Sequence, residues 1–272
     1  MKNRILIVCC CSSLSFVGCK SLKVIKPSNL EYKLIYFHES VPFTGKVETQ
    51  YSNGQLKEKS EFKNGQLYRQ KFYYENGCIA EEGLKKGGNM IWSKTYYESG
   101  NVRRIADYRT KTVKVYYENN NLYSEGAFYV DPDALEGEWI SYYENGNISA
   151  KRHFKRGDPD GQTISYYENG NIKKIAIYKD GWLEGECIHY YESGQIMEEA
   201  YYKGGALRGR RKTYYENGNM NEEAFHDDQG VYHGEYKQYY QNGGIWILKN
   251  FNHGYQVGNS VKYNENGEII SN

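Results

Sequence analysis

From Tyr32 onward the chain is built of short runs in which apolar or aromatic residues alternate with polar ones, separated by glycine-rich turns. Glu138–Gly161 shows the unit: a run from Trp139 to Tyr143, then Asn145-Gly146, then a second run from Ile148 to Phe154 and a turn rich in Gly, Asp and Pro. Asn-Gly between two strand-like runs predicts a hairpin, because both residues tolerate φ > 0. The turn glycines fall at Gly54, Gly77, Gly100, Gly146, Gly170, Gly194, Gly218, Gly243 and Gly267, with Asn120 in place of a tenth. The steps are 23, 23, 20, 26, 24, 24, 24, 25 and 24 residues. A period in this range is the signature of a repeat array, in which each unit contacts only its neighbours. The expected fold is all-β: about ten tandem β-hairpin repeats of ~24 residues forming one long twisted antiparallel meander sheet.

The second run of each repeat has the clearest pattern. Two residues after the turn glycine stands an aliphatic residue such as Leu56, Ile79, Val102, Ile148, Ile172 or Ile196. Four further on the residue is usually small (Ser60, Gly83, Ala106, Gly126, Ala176, Ala200, Ala224), and two beyond that usually aromatic (Phe62, Tyr108, Phe128, Phe154, Tyr178, Tyr202, Phe251). Even offsets share one face of a strand, so these positions are the expected inner face. The Tyr-Tyr pair before the turn is assigned by loop length. A two-residue Asn-Gly loop pairs Tyr143 with Ile148, whereas a three-residue loop pairs Tyr142 with it. Lys at 71, 94, 114, 212 and 237 would face inward with the longer loop. The shorter loop is therefore expected, with Tyr143, Tyr167, Tyr191 and Tyr215 on the better-packed face.

Composition alters this picture in one respect. Tyr numbers 30 and aromatics make up 16%, so much of the apolar area must come from rings whose hydroxyls stay wet. The formal charge of +1 gives no basic surplus for nucleic acid and no acidic tail. No residue pattern suggests catalysis. The Glu of Tyr-Tyr-Glu-Asn-Gly recurs in each unit, as structural residues do, whereas a catalytic site needs a single acid or base. The six His are scattered without metal-ligand spacing, and neither a nucleophile elbow nor a phosphate-binding Gly-rich loop is present. No catalytic residue, metal or cofactor is expected.

The chain begins differently. Lys2 and Arg4 precede an apolar stretch, Ile5 to Phe16, too short to span a membrane comfortably. Phe16-Val17-Gly18-Cys19 then resembles a bacterial lipobox, which implies cleavage before Cys19 and a lipid on that residue. Residues 1–18 read as a lipoprotein signal peptide, 19–31 as a flexible tether, and 32–272 as the repeat array. Cys9, Cys10 and Cys11 would leave with the signal. Cys78 and Cys187 lie five repeats apart, about 48 Å at roughly 4.8 Å per strand, beyond disulfide reach.

An array of near-identical units gains specificity where it departs from its own pattern. The largest departure is Asp131-Pro132-Asp133, where Pro132 should interrupt the ladder and expose a bent surface, close to Trp139. Trp139, Trp182 and Trp246 recur less regularly than the tyrosines and are the candidate anchors for a protein partner, together with Pro132. Rows of rings could also bind a sugar chain, although cross-strand contact alone accounts for most such rows.

The Tyr-Tyr-Glu-Asn-Gly-x-Ile core, the small residue that follows, and the closing Gly181-Trp182-Leu183-Glu184-Gly185 and Gly205-Ala206-Leu207-Arg208-Gly209 resemble the MORN-repeat variant. Phe43-Thr44-Gly45-Lys46 is similar to the start of such arrays, and the resemblance covers residues 43–272. Proteins of this type are grouped with the YwqK-type antitoxin of toxin–antitoxin systems. The resemblance implies a non-catalytic binding protein with a protein partner, such as a secreted toxin. With the lipobox it implies lipid anchoring in a bacterial cell envelope, at the outer membrane. A structural envelope scaffold without a toxin, and a carbohydrate-binding surface, remain open beside it.

Overall fold

The computed structural model describes residues 21–25, 33–38, 41–129 and 131–271. The signal segment and Cys19 lie outside the described residues. No helix occurs among those described, and hence none long and apolar enough to cross a membrane. The chain divides into two units, Met1–Leu122 and Tyr123–Asn272. Each is an antiparallel meander in which a strand pairs with the next along the chain. In the first unit the meander runs from Gly45–Gln50 to Thr112–Tyr116. In the second it runs from Leu122–Phe128 to Ile269–Ser271. A small separate sheet precedes the first meander. There Ser21–Ile25 pairs with Lys33–His38, which pairs with Val41–Pro42. Ser21–Ile25 falls within the stretch expected as a tether.

The Asn-Gly turns differ from the sequence expectation. At the Asn-Gly turns the Tyr143 carbonyl accepts from Gly146 N–H at 3.0 Å, and Tyr143 N–H donates to the Asn147 carbonyl at 2.8 Å. Within Glu144-Asn145-Gly146 only Gly146 takes positive φ, 88°. This is a three-residue loop, a type I turn closed by a left-handed glycine bulge. Its register pairs Tyr142 with Ile148, correcting the expected Tyr143–Ile148 pairing. Tyr143, Tyr167, Tyr191 and Tyr215 are only half-buried and are not the best-packed positions. The Asn145 carboxamide instead accepts from Asn147 N–H at 2.9 Å. Asn120 does supply the left-handed residue in its turn, with φ 69°. Two-residue loops occur at the other end of the hairpins. Asn64-Gly65, Arg156-Gly157, Asp180-Gly181 and His253-Gly254 all have positive φ at both residues, the type I′ signature.

The buried face follows the even offsets. Ser60, Phe62, Ala106, Phe128, Ala176, Ala200 and Ala224 are all buried, as are Ala150 and Cys187. Ala176 sits opposite Cys187, and Cys187 opposite Ala200, so this row is too crowded for large side chains. Beside it runs a row in which a ring on one strand faces a glycine on the strand before it. The pairs are Phe62 with Gly45, Tyr178 with Gly161, Tyr202 with Gly185 and Phe251 with Gly234. The following strand supplies Leu183 to Tyr178 and Leu207 to Tyr202. The recurring Gly-x-Leu-x-Gly is therefore the complement of the aromatic position, its leucine meeting one ring and its last glycine making room for the next.

Candidate binding surface

The motif residues that recur in each unit are mostly consumed in joining repeats. The second tyrosine of each pair donates its hydroxyl to the backbone carbonyl of the first tyrosine one repeat on. The bonds run from Tyr143 to Tyr166, Tyr167 to Tyr190, Tyr191 to Tyr214 and Tyr215 to Tyr239, at 2.6–2.8 Å. The first unit has the same bonds from Tyr51 to Tyr73 and Tyr74 to Tyr96. Asparagine amides continue the pattern at the turns, from Asn147 to the Glu168 carbonyl and Asn171 to the Glu192 carbonyl. Each such bond contributes about 0.5–1.5 kcal/mol. The first tyrosine binds a carboxylate instead: Tyr96 that of Glu82, Tyr142 that of Glu125, Tyr214 that of Glu199.

A charged cluster lies along the buried face of the second unit. Arg211 Nε donates to Glu198 Oε1 at 2.6 Å and Nη1 to Glu222 Oε1 at 2.7 Å, while the Tyr236 hydroxyl donates to Glu222 Oε2 at 2.8 Å. His189 Nδ1 approaches Glu198 Oε2 at 3.4 Å, without hydrogen-bond geometry. The His189 imidazole and the Arg211 guanidinium together hold the Glu198 carboxyl down at about 2, against the opposing effect of burial. Arg211, Glu198, Glu222 and Tyr236 satisfy one another, so they form a structural tie between strands.

The expected anchors separate into two pairs. Trp139 is 7% exposed, and its ring covers Gly126 so closely that a Cβ there would overlap it. Pro132 is buried as well, in a loop closed by Tyr129 N–H to the Ala134 carbonyl at 2.7 Å. The ladder is interrupted between Phe128 and Leu135 and Asp131 and Asp133 are exposed there, but the side chains of Pro132 and Trp139 themselves are packed inward. Trp182, in contrast, is 64% exposed and Trp246 38%. Trp182 lies against the next turn, its ring 2.8 Å from where a Cβ on Gly205 would stand. The structure does not bring Trp182 and Trp246 together with Pro132 and Trp139.

Sequence reasoning passed over the positions between the buried ones. On the opposite face Ile177, Tyr201 and Phe225 stand 24 residues apart and are 42%, 45% and 45% exposed. Charged and polar side chains alternate with them across the strands: Gln162 opposite Ile177, Glu186 opposite Tyr201, Arg210 opposite Phe225. A hollow of about 270 Å³ lies beside Tyr201, lined also by Glu186, Ile188, Glu199, Arg210 and Lys212. The signal that could have found this stripe is the 24-residue period read on odd rather than even offsets.

Tandem antiparallel hairpins, joined by a tyrosine ladder and lacking any helix among the described residues, define an all-β repeat protein. The MORN repeat variant model matches residues 43–64, 93–110, 109–131, 135–156, 159–180, 183–203, 207–228 and 232–253, more than half of the chain. The chain belongs to the MORN repeat variant family. The matched spans omit residues 65–92, where Gln66–Tyr73 and Ile79–Lys86 form the same kind of hairpin. No curated protein matches the chain. Among solved structures it is similar to the crystal structure of TcdB2-TccC3, with 13% identity and a TM-score of 0.21, covering 80% of this chain and 14% of that one. It is also similar to the crystal structure of TcdB2-TccC3-Cdc42, with 12% identity and a TM-score of 0.20, covering 89% of this chain and 15% of that one. The chain thus spans about a seventh of the length of each.

Proposed function

We propose that this chain is a non-catalytic repeat scaffold that binds a protein partner, held at a bacterial cell envelope through lipid on Cys19. An antitoxin or immunity role against a secreted toxin is the finer form of the proposal. The observation that carries it is the exposed stripe Ile177, Tyr201 and Phe225, flanked by Trp182 and interleaved with Glu186 and Arg210. Aromatic residues set among charges on an otherwise tied-up sheet suit a partner with apolar anchors and its own charged rim. The repeated tyrosines and turn residues do not favour a separate ligand, because their polar groups already hold neighbouring repeats.

The test compares the full chain with the triple variant Ile177→Ser, Tyr201→Ser and Phe225→Ser in capture from solubilised membranes, read by mass spectrometry. Surface changes of this kind leave the fold nearly unaltered. A protein captured by the native chain should bind the variant at least tenfold more weakly, about 1.4 kcal/mol. Equal affinity at an unchanged melting temperature would place binding elsewhere. Deletion of the captured protein's gene, followed by loss of the native gene without penalty to the cell, is the result expected of an antitoxin.

A further inference from the structure

We propose that Asp227, His233 and His253 form a binding site for a divalent transition-metal ion of the zinc class, stapling two consecutive hairpins near the end of the array. One ligand atom from each of the three lies within 4.8 Å of the others. Asp227 Oδ2 is 2.7 Å from His253 Nδ1, and the His233 and His253 rings lie tilted at 52° with centroids 4.9 Å apart. The residues are 20 and 26 apart in sequence, so only the pairing of successive strands assembles them.

The site grows from a regular feature of the array. In other repeats a side chain one turn back accepts the N–H of the first residue of the type I′ turn. Thr44 does this for Asn64, Glu136 for Arg156 and Glu184 for Gly204. His233 holds the equivalent place, with its Nδ1 3.5 Å from His253 N–H. Here both cap and turn residue are imidazoles, and a carboxylate closes the third side. Asp227 is held by its own loop: Oδ1 accepts from Gln229 N–H at 2.9 Å and Val231 N–H at 3.3 Å. Arg208 Nη1 donates to the Asp227 carbonyl and not to its carboxylate. The carboxylate is thus pre-set with Oδ2 directed at the histidines.

Two imidazoles and one carboxylate are a borderline-hard donor set suited to Zn²⁺, with a further position left for water or a partner's side chain. Bonds of about 2.0–2.2 Å put tetrahedral ligand atoms roughly 3.4 Å apart. Binding would therefore part Asp227 from His253 slightly and draw the third ligand in. His253 is exposed, which gives an ion an entry path.

The experiment uses untagged, chelator-treated protein. ZnCl₂ is titrated calorimetrically, and CoCl₂ is added to read the visible ligand-field bands of a low-coordinate site. One equivalent of Zn²⁺ should bind, and excess Zn²⁺ should raise the melting temperature. His253→Asn keeps a residue that the same turn accepts at Asn64. It and His233→Gln should each weaken binding at least tenfold and abolish the thermal shift, while melting normally without metal. No stoichiometric binding by the native protein would overturn the proposal. So would binding undiminished in both variants, which would assign the ion to other histidines. Neither result bears on the Ile177–Tyr201–Phe225 surface.

Discussion

Trp139→Ala is expected to destabilise the second unit by about 3–5 kcal/mol, the range for emptying a large aromatic from a packed site. The indole is almost fully buried and lies over Gly126 on the neighbouring strand, where a register shift opens the space for it. Gly126→Ala should also destabilise, because its new methyl enters the ring's volume. In the double variant that methyl enters the vacated space instead, so the two losses should be less than additive. Urea unfolding followed by circular dichroism measures all three. A loss below about 1 kcal/mol for Trp139→Ala would return this tryptophan to the surface.

The second large effect is acid sensitivity centred on Glu198. Its carboxyl is held at about 2, beneath the unfolded value of 4.5. A carboxylate depressed in this way stabilises the fold above its unfolded pKa, and the contribution disappears as pH falls through the folded one. Glu198 is part-buried, with 18% of its side chain exposed, so its contribution at neutral pH is about 2–3 kcal/mol. Glu198→Gln should cost that amount at pH 7, and the gap between variant and native protein should close progressively between about pH 5 and pH 2. The native protein would lose stability over this range while the variant loses less. A gap that stays constant with pH would mean that Glu198 acts through shape rather than charge.

The hairpin array was legible because its period is long, regular and marked by glycine. The loop assignment was not, because Asn-Gly serves both a two-residue type I′ turn and a three-residue turn with a glycine bulge. Ser99 and Ser193 carried the discriminating information. Serine stands where Asn145 stands, and that position does not adopt positive φ. The true type I′ turns were hard to see because residues such as Arg156 and His253, at φ 54° and 47°, occupy them. The alternation of Ala176, Ala200 and Ala224 gave the buried face directly. The fate of Trp139 depended on Gly126, a partner on another strand across a bulge, which no local pattern reveals. The Asp227–His233–His253 cluster was hidden for the same reason: its members meet only through register.

The division of each strand into a closed face and an open one underlies both the stability account and the proposed binding stripe. Ala224 and Phe225 are neighbours, 1% and 45% exposed, and therefore point to opposite faces. Ala224→Cys and Phe225→Cys should differ in native-state reaction with a maleimide, read site by site by peptide mass spectrometry. Phe225→Cys is expected to label at close to the rate of an unfolded peptide. Ala224→Cys should label at least about tenfold more slowly, through local opening only. Native Cys187, buried and with its thiol pKa pushed up by that burial, serves as the internal standard and should stay unlabelled until the protein unfolds. Equal labelling at 224 and 225, or labelling of Cys187 in the folded protein, would contradict the assignment of faces.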